Sequence, residues 1–265
     1  MKKIIIIGLL SMCAAGVSYA QGTLNFINDI PGIIVTHIYS PNTANPAVST
    51  TGQGPGDTGA QTATYPNSVA IGGASFTGTA PASLGASSPL YADGNLFTAQ
   101  VYAVNKAQTP SNPGFSGLSP VTQYITTLST SAGGAGFVIQ PTFPGGDPGI
   151  IYAGTMDDAV NNQTIDNKAW VSVAAWYNGL GQFPTLASAI AASVPNGHST
   201  VFSVNTLGMP ADVETAANQT PSSATPAANM SALTSFSLVS PVPEPSTIAL
   251  GVMGACAFLA RRRKK

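Results

Sequence analysis

The fold is decided by the stretch from Ala169 to Tyr177, which has the sequence AWVSVAAWY. Apart from Ser172, both its odd and its even positions are apolar, whereas a strand with one solvated face alternates apolar and polar residues. The pattern therefore indicates a strand covered on both faces. Residues 96–105, LFTAQVYAVN, share this character. We predict that these two segments are central strands of one packed sheet.

Further out, short apolar runs alternate with turn residues along the chain. They predict additional strands at residues 23–28, 33–39, 121–128, 136–140, 200–205 and 233–239. Apolar residues at every fourth position, Leu186, Ile190 and Val194, predict one helix over residues 185–194. Eight short strands and one helix predict the all-β class, with an antiparallel β-sandwich of jelly-roll or immunoglobulin-like type.

Two segments, residues 40–66 and 209–231, have few apolar side chains and are expected to form long mobile loops. Neither separates two plausible cores, so the chain between its ends is predicted to be one domain. Its core should contain apolar residues from five candidate strands, namely Phe26, Val101, Val173, Val204 and Phe236.

Charged residues make up only 7% of the 265-residue chain, far below the roughly 25% of an ordinary soluble domain. The basic residues lie mostly at the two ends, so that residues 21–245 contain two lysines against ten acids. Nucleic-acid binding needs clustered Lys and Arg, and the composition excludes it. Low charge together with abundant Gly, Pro, Ser and Thr favours a location outside the cell.

The N-terminus has the three parts of a secretory signal peptide. Lys2 and Lys3 precede an apolar run over residues 4–12, and small residues at Ser18 and Ala20 predict cleavage by signal peptidase between Ala20 and Gln21. Two alternatives are weaker. A lipoprotein would use Cys13, but the large Met12 precedes it, and a buried N-terminal strand would not need the lysine pair.

The C-terminus predicts a membrane segment. Residues 248–260 carry no charge and are followed by five basic residues, Arg261, Arg262, Arg263, Lys264 and Lys265. As a helix the run spans about 20 Å, short of the ~30 Å hydrocarbon core, so it is a marginal single transmembrane helix. The basic tail should remain in the cytoplasm, with the rest of the chain across the membrane.

A proline-flanked glutamate precedes that segment. It stands in the hexapeptide Val242, Pro243, Glu244, Pro245, Ser246 and Thr247, where the prolines hold Glu244 in an extended, accessible conformation. A protease could recognise such a segment.

The hexapeptide, the apolar run and the basic tail, in this order, resemble the PEP-CTERM sorting signal of Gram-negative bacteria. The resemblance covers residues 242–265 and implies recognition by an exosortase, a membrane enzyme that removes the tail during delivery to the cell surface or extracellular matrix. It divides the chain into a signal peptide (1–20), an exported β-rich domain (21–241) and a sorting signal (242–265). The alternative is a permanent C-terminal anchor.

A looser resemblance concerns the body itself. Residues 22–28, 97–103 and 170–176 are similar to recurring segments of a group of PEP-CTERM proteins without assigned activity. This implies a shared β-rich architecture and no catalytic residue.

Residues typical of catalysis are scarce in the body. Cys13 and Cys256 both lie in segments expected to be removed, which leaves no thiol for a disulfide, a nucleophile or a metal. His37 and His198 lack the spacing of a zinc site, and we expect each to have a surface or structural role. No G-x-S-x-G motif occurs, and most of the aspartates stand in turn-forming sequence. We therefore predict no catalytic residue, cofactor or metal.

Three weaker patterns are each open to a structural interpretation. Residues 54–59 spell G-x-G-x-x-G without a preceding strand and are interpreted as a flexible loop. Five oxygen-bearing residues could bind Ca²⁺ or simply form turns. Trp170 and Trp176 share one side of their strand and Tyr177 takes the other, so the tryptophans form either a carbohydrate platform or, as we favour, part of the core. The five oxygen-bearing residues are Asp157, Asp158, Asn161, Asn162 and Asp166.

These observations predict an exported, non-enzymatic protein of the cell surface or extracellular matrix, with a structural, adhesive or exopolysaccharide-associated role. The expected partners are signal peptidase, exosortase and, in transit, the inner membrane, with exopolysaccharide as a further candidate. Two alternatives remain open, a secreted hydrolase of polysaccharide or peptide and a carbohydrate-binding module.

Overall fold

The computed structural model describes residues 20–54, 56–58, 64–73, 89–106, 109–131, 133–141, 150–156, 168–204 and 228–240. Within these ranges the chain is mostly strand with one short α-helix, which confirms the all-β class. The strands are β1 Ala20–Asn25, β2 Asp29–Ile30, β3 Ile34–Val35, β4 Ile38–Tyr39, β5 Phe97–Asn105, β6 Ser119–Thr127, β7 Ile150–Met156, β8 Ala169–Tyr177, β9 Asn196–His198, β10 Phe202–Val204, β11 Ala228–Asn229 and β12 Phe236–Ser237, and the α-helix is α1 Leu186–Ala191. Single 3-10 turns occupy Pro89–Ala92, Gly94–Leu96 and Phe115–Gly117.

The largest sheet is antiparallel, with the strand order β10-β8-β5-β6 and with β9 also paired to β8. Strands β5 and β8 pair along their whole lengths, from Phe97 opposite Tyr177 to Asn105 opposite Ala169. Each of them has neighbours on both edges, as their two apolar faces predicted. The prediction of two central strands is confirmed.

The remaining strands form three smaller sheets, β11-β1-β7, β12-β4 and β2-β3. Two of their pairs, β1 with β11 and β12 with β4, are parallel. The prediction of a purely antiparallel arrangement is therefore wrong for these pairs. Each joins one segment near the start of the body to one near its end, and the long intervening chain makes a parallel crossover possible.

Buried side chains from the sheets belong to one hydrophobic cluster. It includes β1 through Leu24, β5 through alternate residues such as Val101, β8 through consecutive residues from Val173 to Tyr177, and β12 through Phe236. All five residues predicted for the core are buried in the structure, which confirms that prediction: Phe26, Val101, Val173, Val204 and Phe236.

Helix α1 begins at a capping box. The Thr185 side chain accepts a hydrogen bond from the Ser188 backbone N–H, and the Ser188 hydroxyl oxygen accepts from the Thr185 N–H. The helix buries Leu186 and Ala189, whereas Ile190 is 54% exposed. The predicted stripe through Ile190 is therefore wrong, because the helix is only six residues long and turns Leu186 and Ala189 toward β8 instead.

Several strand boundaries differ from the predictions. The segment 33–39 splits into β3 and β4, and 136–140 forms only a single bridge, between Leu128 and Val138. Strand β7 was missed because its apolar residues follow a Gly- and Pro-rich stretch, and β2, β9 and β11 were missed because two or three residues carry no detectable period. The described part of segment 40–66 contains no helix or named strand, yet it is attached to the body through side chains described below.

No helix in the described ranges is long and apolar enough to cross a membrane. The predicted transmembrane segment 248–260 and signal peptide residues 1–19 lie outside those ranges. Ala20 begins β1 opposite Met156, and cleavage after Ala20 would leave the pairs from Gln21 onward in place.

Candidate functional site

A cluster of polar side chains surrounds the buried carboxylate of Asp57, which is 2% exposed. The Tyr39 hydroxyl donates to both carboxylate oxygens, at 2.8 and 3.0 Å, and the Ser235 hydroxyl donates to Oδ2 at 2.6 Å. The Tyr65 ring stacks on Tyr39, and its hydroxyl donates to the Ser235 carbonyl. Residues from the beginning and the end of the body therefore meet at one acid.

His37 completes this Asp57 cluster. It is 5% exposed, its Nδ1 lies 3.3 Å from Asp57 Oδ2 without the alignment of a hydrogen bond, and its backbone N–H donates to the Ser235 hydroxyl. Burial lowers the pKa of the imidazole below its ordinary value of 6.5, and the Asp57 charge opposes that shift only in part. No partner for His37 could be predicted from the sequence, because Asp57 and Ser235 reach it only through the fold.

The Asp57 cluster contains Ser, His and Asp, but its arrangement is not that of a hydrolytic triad. The Ser235 hydroxyl is bonded to the acid and not to the imidazole, and it is fully buried. The crevice beside His37, lined by Phe26, Val138 and Phe236 among others, has no room for a water molecule. The cluster joins segments of the chain and does not present a nucleophile.

Gly56 and Asp57 of the G-x-G-x-x-G segment also join parts of the chain to one another. The backbone N–H groups of Gly56 and Asp57 both donate to the Val35 carbonyl at 3.1 Å, so neither points at a free anion site. Gly56 has a positive φ of 100°, and Asp57 turns inward from there. A phosphate cradle would need those N–H groups unpaired.

The protonation of His37 gives the first testable prediction. Because its pKa is lower in the folded than in the unfolded state, the unfolded chain binds more protons at mildly acidic pH. The His37 contribution to stability is fully present above about pH 6.5 and is lost as the pH falls through the folded pKa. We expect urea midpoints to fall between about pH 7.5 and 5.5. The His37→Asn variant should lose most of this slope, whereas the exposed His198→Asn control should keep it; equal slopes for all three proteins would contradict the prediction.

The two tryptophans of β8 differ in exposure. Trp176 is fully buried, and its Nε1–H donates to the Phe183 carbonyl at 2.8 Å. Trp170 is half-buried, with its Nε1–H donated to the Thr109 carbonyl and the Lys106 Nζ 4.7 Å from the ring centroid. Tyr177 is buried as well. The core interpretation of the tryptophan pair is confirmed for Trp176, whereas Trp170 lies at the edge of the core.

His198 is the last residue of β9. Its exposed ring stacks on Phe115, with centroids 3.9 Å apart and planes 2° from parallel. Phe115 in turn contacts Tyr102 at 4.9 Å. These three rings form a partly exposed aromatic row that the sequence did not indicate.

Among the described residues, no group of three His, Cys, Asp or Glu side chains could hold a metal ion. The residues between Asp157 and Asp166, which could bind Ca²⁺ or simply form turns, lie outside the described ranges, and both interpretations stay open.

The last described segment of the chain is bonded to the body up to its final residue. Phe236 and Leu238 are buried, and their N–H groups donate to His37 and Tyr39 carbonyls. Val239 exchanges two backbone hydrogen bonds with Asn196, and the Ser240 N–H donates to the Pro46 carbonyl at 2.7 Å. Ser240 is the last residue that the structure describes, and the residues predicted as the sorting site begin at Val242, outside the described ranges.

The residues after Ser240 match a known C-terminal sorting signal. Residues 241–264 match the model of the PEP-CTERM protein-sorting motif, one residue earlier at each end than the boundaries predicted from the sequence. The chain therefore contains a PEP-CTERM protein-sorting motif. Such a signal indicates export and membrane-associated sorting towards the cell surface, with an exosortase as the processing partner. No curated protein and no solved structure matches the chain.

Proposed function

We propose that this protein is a non-enzymatic component of the cell surface or extracellular matrix, released from the membrane when an exosortase processes its C-terminal signal. The observation that carries the proposal is the sorting motif at residues 241–264, which directly follows the described segment 228–240 in the sequence. The absence of catalytic motifs in the sequence supports a non-enzymatic role, and so does the burial of Ser235, His37 and Asp57 within structural bonds.

We further propose that the body is a β-sandwich whose layers are the β10-β8-β5-β6 sheet and the β11-β1-β7 sheet. Support comes from the shared hydrophobic cluster and from the proximity of β7 to β5 and β6. Sandwiches of this kind suit surface proteins, because their stability comes from the apolar core and does not require cysteines.

The sorting proposal is tested by changing Pro243, Glu244 and Pro245 to Ala. The prolines keep the site extended beside the bilayer, so the variant should be exported normally but keep its tail and stay in the inner membrane. Neutral residues in place of Arg261 to Lys265 should also impair processing, because the predicted span is short and the charges hold its end in the cytoplasm.

The measurement is the mass and the membrane fraction of each protein in hosts with and without an exosortase. Glu214→Gln is the matched control, because it removes the only other glutamate and should be processed like the wild type. If the wild type keeps residues 246–265 in every host, the segment is a permanent anchor and the sorting proposal is wrong.

Among possible matrix partners, one observation favours polysaccharide. The partly exposed aromatic row of Tyr102, Phe115 and His198 offers ring edges and faces to a sugar, in a body with few charges to bind an ionic polymer. We expect Phe115→Ala and His198→Ala each to reduce binding to the host's extracted exopolysaccharide by about 2- to 10-fold. Ile190→Ala, which removes an exposed apolar side chain elsewhere, should have no effect. Unchanged binding in both aromatic variants would remove this candidate.

A further inference from the structure

The distance between the folded body and the sorting motif is very short. Ser240 is bonded to Pro46, and Glu244 follows four residues later. A fully extended chain of four residues spans at most about 14 Å. A body of this size has a radius of gyration of about 16 Å, larger than the tether itself. An enzyme that holds Glu244 in its active site is therefore close enough to touch the surface around Ser240.

That surface is formed by residues 42–49, which we call the exit loop. Its Pro46 carbonyl accepts the Ser240 N–H, and the Ser49 hydroxyl donates to the Ser237 carbonyl, so the loop and the departing chain are bonded together. Asn42 shapes the loop by accepting the Ala44 and Asn45 N–H groups. The exit loop is thus a defined surface fixed beside the motif.

The chemistry of the exit loop is uniform. Residues 42–49, NTANPAVS, contain no charged side chain, and Val48 is 51% exposed. An uncharged surface with one protruding apolar group fits a protein partner of neutral, apolar character better than a charged headgroup layer. A charged side chain at position 48 would have to lose its hydration when such a partner binds, and this would weaken the contact.

We propose that the exit loop is a docking surface for the outer face of the sorting enzyme, and that segment 236–240 stays bonded to the body while the motif is processed. This inference rests on the proposed function and adds to it a second recognition element outside the motif. We identify this partner as the sorting enzyme because that enzyme must surround Glu244 and because the exit loop carries no charge.

The test compares processing rates in pulse-chase experiments on the full chain in a host with an exosortase. Val48→Asp and Val48→Lys should each slow processing by about fivefold, the change that a lost contact of moderate strength produces. Inserting about twelve Gly and Ser residues after Ser240 lengthens the tether by roughly 20 Å and should make processing insensitive to both substitutions. Ile125→Asp, at an equally exposed position on β6, is the matched control and should be processed normally.

An engineered disulfide tests whether segment 236–240 remains bonded to the body during processing. Asn196 and Val239 form a hydrogen-bonded antiparallel pair, whose Cα separation of about 5.5 Å is suitable for a disulfide. In a Cys256→Ser background, the Asn196→Cys, Val239→Cys variant should be processed at the wild-type rate with its disulfide formed.

The outcomes separate the two proposals. If the wild type is not processed in any host, the proposed function fails. The docking proposal is wrong if the wild type is processed and the Val48 variants are processed at the same rate. It is also wrong if the Val48 substitutions slow processing as much with the inserted Gly and Ser residues as without them. Opposite effects of Asp and Lys would instead indicate contact with charged lipid, and loss of processing in the disulfide variant would show that the segment must detach.

Discussion

Replacing Trp176 by Ala is expected to lower the free energy of unfolding by about 3–5 kcal/mol. The side chain, which extends from β8, is fully buried and is hydrogen-bonded to the segment that contains Phe183. Its removal leaves a cavity and also takes the hydrogen-bond donor from the Phe183 carbonyl. The measurement is urea unfolding of the protein lacking residues 1–20 and 241–265, followed by circular dichroism so that loss of fluorescence does not interfere.

Trp170→Ala is the matched control, because it removes the same side chain from the same strand. Trp170 is half-buried, with one hydrogen bond to Thr109 and the contact with Lys106. We expect a loss of about 1–2 kcal/mol. Equal losses for the two variants would contradict the assignment of Trp176 to the core and Trp170 to its edge.

A second large loss, about 2–6 kcal/mol at pH 7.5, is expected for Asp57→Ala, because two buried hydroxyls lose their acceptor at about 1–3 kcal/mol each. The substitution removes the acceptor of the Tyr39 and Ser235 hydroxyls and leaves both donors buried without a partner. Asp57→Asn keeps one acceptor oxygen and should lose less. Asp29→Ala, which removes a half-buried carboxylate in β2, should change stability by at most about 1 kcal/mol.

The same cluster sets the response to alkaline conditions. Burial, followed by the hydrogen bond to Asp57, raises the pKa of Tyr39 in the folded state, and burial raises that of Tyr65 and Tyr91. The unfolded chain therefore loses phenolic protons at lower pH than the folded chain does. Stability should decline as the pH rises above about 10, and it should decline less steeply in Tyr39→Phe. Urea midpoints measured between about pH 9 and 11 test this, and an unchanged slope in the variant would count against it.

The sequence could predict the features that depend on residues close together in the chain. Strands β5 and β8 were identified because a strand with two apolar faces must be covered on both sides, and this pattern is local. The start of α1 is likewise encoded locally, by Thr185 and Ser188. The sorting motif was also recognisable, since its parts are contiguous in sequence.

The Asp57 cluster could not be predicted in the same way. Asp57 stands in a Gly-rich segment with few apolar neighbours, where a carboxylate ordinarily forms a solvated turn. Its partner Ser235 lies 178 positions away, and no local pattern links the two. The parallel pairs of β1 with β11 and β12 with β4 were missed for the same reason, because short strands gain their pairing from distant segments.

The pairing of β12 with β4 has a consequence for the order of events during export. Phe236 aligns with Ile38, so this contact closes a loop of almost 200 residues, and Ser235 must arrive before the Asp57 cluster can form. Contacts of such high sequence separation make folding slow, because the entropy of loop closure opposes it until the contact is made. If the chain is translocated from its N-terminus, as the predicted signal peptide implies, we expect the body to lack β12 and the Ser235 hydroxyl until its last residues have crossed. The translocation step that brings the sorting motif to the membrane therefore also supplies the residues that allow the body to close.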